Sequence, residues 1–150
     1  MPPTNANVRK PLPRLREPGA TYFITWRIAY AQPALSHAER TVIADSIRQF
    51  AGTRYDLHAW VVMDDHVHVI ASPLAPATID QAFHGWRSFT ASRLCKDFAR
   101  RPPIWQRGGY DRVVWAGGEL EEKIAYIVAN PWKRWPDCVE YPWVWPMEGA

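Results

Sequence analysis

Cysteine is scarce in this sequence: two residues among 150, Cys95 and Cys138, with no paired spacing between them. That excludes a zinc ribbon and a disulfide-stapled scaffold, and both read as structural thiols. No stretch approaches the ~18 consecutive apolar residues of a membrane span. Met1-Pro2-Pro3-Thr4-Asn5 opens the chain without the apolar core of a secretion signal, so the expected location is cytoplasmic. A Gly-rich phosphate cradle is also missing, and no nucleotide cofactor is expected. No internal repeat appears, and low complexity is confined to a Pro-rich start.

What is present is a chain of 17.3 kDa, most simply one domain with a real hydrophobic core. Its net charge of +3 is unevenly placed. Arg9, Lys10, Arg14 and Arg16, against Glu17, make residues 1–18 a basic arm, while the rest of the chain is balanced. A basic arm on a neutral body suits a polyanion, usually nucleic acid; a merely solubilising tail is equally open. Residues 19–150 form the expected domain. Nine tryptophans are the second oddity, with Trp132, Trp135, Trp143 and Trp145 near the C-terminus. Core positions account for most of them, and any exposed beside arginines would offer a stacking platform for unpaired bases.

Aromatic and β-branched residues from Ala20 to Ile28 predict a first strand. Ser36-His37-Ala38-Glu39 fits a capping box opening a helix that buries Val42, Ile43, Ile47 and Phe50 and stops at Gly52. A strand pair follows, from Leu57 to Met63 and from Val67 onward, with Asp64-Asp65 at the turn. Thr78-Ile79-Asp80-Gln81 opens a second helix, to about Phe98, burying Ile79, Phe83, Trp86, Phe89 or Thr90, and Leu94. Ile104-Trp105-Gln106 and Asp111 to Trp115 are short strand candidates around Gly108-Gly109. A last helix runs from Glu119 to Asn130, where Pro131 should end it. The order β-α-β-β-α-β predicts an α+β, ferredoxin-like split βαβ fold: a four-stranded antiparallel sheet, helices on one face, plus the extra C-terminal helix. Fold alone assigns no chemistry.

His66-Val67-His68 is the most informative motif. On a strand the two imidazoles share a face, with Cα atoms about 7 Å apart, a span that one divalent ion can close. Two ligands do not make a site, and a pair of solvated histidines remains open. In the last helix, Leu120, Ile124, Ile127 and Val128 fall on one stripe. Tyr126 lies nearly opposite, with Asn130 four residues on and Glu122 four residues back. Asn130 offers an amide oxygen, a hard donor suited to Mg²⁺ or Mn²⁺. A surface tyrosine and a helix-end asparagine would show the same pattern.

Together these parts resemble the single-tyrosine HUH transposases, and more closely their chromosomal branch, the REP-associated tyrosine transposases. The resemblance covers most of the chain: Tyr22-Phe23-Ile24-Thr25-Trp26, the run from Ala59 to His68, Ile104-Trp105-Gln106, and Tyr126-Ile127-Val128-Ala129-Asn130-Pro131. Asp64 departs from the proline usual there, which alters the turn and not the ligands. Tyr141-Pro142-Trp143 looks like the family's C-terminal end, with Val144-Trp145 replacing its small polar residues.

The resemblance implies that His66 and His68 bind Mg²⁺ or Mn²⁺, with Asn130 as third ligand. Tyr126 would be the nucleophile attacking single-stranded DNA, leaving a 5′-phosphotyrosine and a free 3′-hydroxyl. A free phenol, with a pKa of ~10, needs such help at neutral pH. Ligand histidines must be neutral, so activity is expected to fall below about pH 6. The implied partner is DNA with a palindromic hairpin, bound by a monomer or homodimer. Arg14, Arg16, Trp105, Arg107, Lys133 and Arg134 are the candidate DNA contacts. Tyr110, read as a turn residue, is the rival nucleophile, and Glu122 reads as a solvated helix residue. Two other readings stay open: a hairpin-binding module that no longer cuts, and an unrelated metallohydrolase recruiting His58 or His84.

Overall fold

The computed structural model describes residues 19–115 and 117–147. The arm over 1–18, with Arg14 and Arg16, lies outside the described residues. Strand β1 (Thr21–Arg27) is followed by helix α1 (His37–Arg48), strands β2 (Tyr55–Val62) and β3 (His66–Pro73), and helix α2 (Ile79–Phe98). Strand β4 (Tyr110–Val114), helix α3 (Gly118–Arg134) and a short β5 (Val144–Trp145) complete the order. All pairings are antiparallel, in the order β4-β1-β3-β2-β5. The α+β expectation holds, with a fifth strand where four were expected. No helix among the described residues is long and apolar enough to cross a membrane.

Alternation along the strands builds two cores. Tyr22, Ile24, Trp26, Trp60, Val62, Val67 and Val69 face α1 and α2, where Ile43, Ile47, Phe83, Trp86 and Leu94 meet them. Phe23, Ala59, Val61, Met63 and Ile70 face the other way, against Ile127 of α3 and the C-terminal Tyr141 and Val144. His66 and His68 lie on this second face, at the β2–β3 turn end of the sheet.

Local signals set the first two helices. Ser36 accepts from the Glu39 amide while Glu39 accepts from the Ser36 amide, and Thr78 and Gln81 repeat the arrangement on α2. Helix α1 stops at Gln49, short of Gly52. In α2, Thr90 is buried and Phe89 is exposed, which settles that pair.

Three expectations fail. Ile104-Trp105-Gln106 forms only one bridge, Trp105 to Ile28, because backbone bonds tie this stretch to the end of β1 rather than along a neighbour. Tyr110 begins β4, opposite Thr25, so it sits on a strand and not in a turn. Helix α3 runs through Pro131 to Arg134. Proline lacks the N–H for the preceding turn, yet its φ suits a helix and only one further turn follows. That turn is held from outside: Pro131 is buried, the Trp135 amide donates to its carbonyl, the Trp132 indole donates to Cys138, and Arg134 pairs with Asp64.

Candidate active site

Each histidine is gripped by one nitrogen. Neighbouring rings on β3, their centroids 4.7 Å apart, present His66 and His68 to the same side. The Nδ1 of His66 lies 2.7 Å from Asp65 Oδ1, and a carboxylate only accepts, so Nδ1 carries the proton. On the neighbouring strand Thr25 stands opposite His68, and its hydroxyl is 2.7 Å from His68 Nδ1. The Nε2 of His66 is thereby left for a ligand, as is that of His68 when its Nδ1 donates to the Thr25 hydroxyl, and the rings cannot turn without breaking a hydrogen bond. This is the arrangement by which outer partners orient metal-binding imidazoles.

Electrostatics keep the pair neutral. Burial lowers His68 to about 3, helped by the charges of His66 and Arg27. Burial also lowers His66, and with Arg27 and Arg134 it outweighs the upward pull of Asp65. Burial pushes the Asp65 carboxyl up, but the His66 hydrogen bond and the charges of His66, Arg134 and Arg27 hold it below the ordinary range. Two neutral imidazoles with free Nε2 atoms suit a divalent ion. Among the described residues, no group of three His, Cys, Asp or Glu side chains is placed to hold a metal. A third protein ligand to an ion held here would have to be of another type.

Helix α3 carries the remaining expected residues, Tyr126 and Asn130. It crosses the sheet face obliquely, starting beside β4, where Glu119 pairs with Arg112, and ending at the β2–β3 turn. There Arg134 lies 2.9 Å from Asp64 and 3.7 Å from Asp65. Between these anchors the Tyr126 ring sits edge-on to His68, with centroids 5.5 Å apart, and leans on Phe23 at 6.1 Å. The ring is 43% exposed, and among the described residues its hydroxyl has no hydrogen-bond partner. Tyr126, Asn130 and Arg134 recur every four residues, so Asn130 occupies the stripe between the contact with His68 and the contact with Asp64. Its Nδ2 donates weakly to the Tyr126 carbonyl at 3.4 Å, which leaves Oδ1 uncommitted. Ile127, one residue on from the tyrosine, is fully buried, and this fixes which way the stripe points.

No family model and no curated protein matches the chain. Among solved structures, a REP-associated tyrosine transposase bound to a REP hairpin aligns with a TM-score of 0.69 at 16% identity, over 90% of this chain and 81% of that one. A candidate transposase from Deinococcus radiodurans R1 gives 0.53 at 19% identity, over 81% and 97%. The fold is that of a REP-associated tyrosine transposase.

On this transposase fold the other expected residues scatter. Trp105 is a correction: it is 6% exposed and its indole donates to Thr90, so it packs the core and has no face open to a base. Arg107 is exposed on the turn before β4. The Lys133 ammonium stands 5.4 Å from the Tyr126 ring centre, while Arg134 is engaged with Asp64 and Asp65. Glu122 is solvent-exposed, as expected. His58 bonds to Ser72, six residues along β3 from His66, and His84 lies on α2 across the sheet, so neither joins the pair. Three contributors escaped the sequence reading: Thr25, Asp65 and Arg27. Asp65 stands next to His66 in the chain, and its adjacency was the available signal. Thr25 and Arg27 emerge only from the β1–β3 register.

Proposed function

We propose that this protein cuts and rejoins single-stranded DNA beside a hairpin, with Tyr126 as nucleophile and Mg²⁺ or Mn²⁺ as cofactor. The observation that supports this reading is the Tyr126 ring against His68, half-exposed and with a free hydroxyl. Hairpin DNA is taken as substrate because the similar transposase structure holds a REP hairpin.

The chain's own residues divide the work. His66 and His68 would hold the ion through Nε2, and Asn130 through Oδ1. When bound, Mg²⁺ or Mn²⁺ supplies Lewis acidity to a phosphate oxygen and stabilises the charge that builds there. Asp65 and Thr25 keep the imidazoles oriented, and burial keeps them neutral. Tyr126 Oη attacks the phosphorus and loses its proton; the bond to the 3′-oxygen breaks, and that oxygen takes a proton up. The product is a 5′-phosphotyrosine and a free 3′-hydroxyl, which can attack in turn to restore a phosphodiester. One ester replaces another, so no nucleotide hydrolysis is needed. Phe23 and the body of α3 hold the phenol in place, which favours a defined line of attack.

The test is a covalent adduct. Hairpin-bearing single-stranded DNA labelled at its 3′ end, incubated with the protein and Mn²⁺, should yield a labelled species that survives denaturant. Tyr126→Phe should abolish it. Undiminished adduct in that variant contradicts the assignment, and Tyr110→Phe then becomes the next variant to examine. Tight hairpin binding with no adduct under any divalent ion would point to a binding module instead.

A further inference from the structure

Helix α3 leaves one corner of its sheet face uncovered. It covers a band from Arg112 through Phe23 and His68 to Asp64, and the end of β1 and the start of β4 lie beyond that band. Arg27 ends β1 directly opposite His66. Thr25, two residues earlier on the same face, joins His68 on one side and Tyr110 on the other. In this corner lies a cavity of about 60 Å³ lined by Thr25, Arg27, Arg107 and Tyr110, among others.

The cavity is built, and its wall is pinned. The Gln106 amide donates to the Arg27 carbonyl at 2.9 Å, and Arg87 from α2 donates to the Gln106 carbonyl at 3.0 Å. Gly108 takes a left-handed φ of 65°. Gly109 approaches so closely that a Cβ there would come within 2.7 Å of the Phe83 ring and 3.2 Å of the Thr25 carbonyl. Sequence and packing thus hold the turn bearing Arg107 against the strand bearing Arg27. Both arginines are exposed, and among the described residues neither guanidinium has a hydrogen-bond or ion-pair partner. Arg48, Arg93, Arg112 and Arg134 are paired with Asp45, Asp97, Glu119 and Asp64, whereas the unpaired Arg54 and Arg101 lie away from the histidines. Arg27 feels the Asp65 charge without forming an ion pair, and Arg107 has no acidic partner, so both guanidinium groups beside the His pair are open to an anion; a guanidinium fork fits phosphate oxygens.

We propose that Arg27 and Arg107 bind, across this cavity, the phosphate next to the scissile one, and so direct the DNA strand out of the site over the end of β1. The assignment rests on the strand-transfer reading of Tyr126 and the histidines. It adds a subsite with a direction: the strand leaves on the side away from α3. Arg27 is the inner contact, near the reacting phosphate, and Arg107 the outer one.

Binding of hairpin-bearing single-stranded DNA, followed by fluorescence anisotropy across a salt series, tests the proposal. Arg27→Gln and Arg107→Gln should each reduce the slope of log affinity against log salt by about 0.7, the counterions released per phosphate contact on a single strand. Arg93→Gln, which disrupts a paired surface arginine, should leave the slope unchanged. A scan of neutral methylphosphonate linkages should find one position beside the cut where the wild type loses affinity and Arg27→Gln loses no more. Unchanged slopes in both variants, or no position coupled to Arg27, would overturn the subsite even where wild-type adduct forms normally. Absence of wild-type adduct strikes the strand-transfer reading instead, while the slopes still judge the arginines. Thermal melts of each variant, expected to match the wild type, separate lost contact from lost fold.

Discussion

Under the proposed function, Thr25 and Asp65 would act on the metal only through the imidazoles they hold. Thr25→Val and Asp65→Asn should each weaken Mn²⁺ binding by roughly 10–100-fold, measured by calorimetry or by spin resonance of free Mn²⁺. A change below twofold in both would mean that the rings are oriented by packing alone. The histidines also make an acid-stability prediction. Both are lowered from 6.5 in the fold, His68 to about 3, so the unfolded chain binds more protons across that interval. Their contribution is full above about pH 6.5 and drains as pH falls toward 3. The melting temperature should therefore decline through this window, and His68→Gln should flatten the decline. The same burial shifts acid loss of metal binding below the pH 6 expected from ordinary histidines. At this scale the sequence disclosed the histidine pair, because a period of two puts both rings on one face. It hid Thr25, since pairing residues 43 positions apart requires a register that no local pattern encodes.

Capping boxes were readable because both halves of each lie three residues apart in the chain. The end of α3 was not, because what carries the helix past Pro131 comes from Asp64 and Cys138, distant in sequence. Strand β5, two residues long, was equally hidden; it exists by pairing with β2. This helix end has a function in the account: the Arg134 pairs with Asp64 and Asp65 fasten the Tyr126 helix to the turn that bears the ligands. Asp64 stands where the resembled family usually has proline. A double-mutant cycle of Asp64→Ala and Arg134→Ala should give a coupling of about 0.5–1 kcal/mol in urea unfolding, the range for a half-exposed pair. Adduct formation should slow in each single variant, with hairpin affinity changed by less than about twofold in Asp64→Ala. Full adduct rates with the pair broken would show that α3 needs no such fastening.

The whole molecule rests on a sheet with a core on each face, and the proposed chemistry belongs to one face alone. At the start of α1, Arg100 and Glu39 form a buried ion pair that also ties down residues 32–34 through three further hydrogen bonds. Glu39→Gln leaves Arg100 buried beside a neutral partner and should cost about 3–5 kcal/mol. Denaturant unfolding would measure it, and Mn²⁺ affinity at low temperature should stay at the wild-type level. A parallel loss of metal affinity would mean that the two faces are not independent. The α+β architecture was legible from element order, while the division of the β1 residues between two cores followed from simple alternation. The placement of α3 across the second face was not, because its apolar stripe fits any partner of similar shape.

One claim underlies the rest: His66, His68 and Tyr126 belong to a single centre. Crystals grown with Mn²⁺ and measured at an anomalous wavelength test it directly. The account predicts one peak, about 2.0–2.3 Å from both Nε2 atoms and from Asn130 Oδ1, with Tyr126 Oη close enough to share a bound phosphate oxygen's surroundings. A peak held by other side chains, or none at the imidazoles in saturating Mn²⁺, would contradict it.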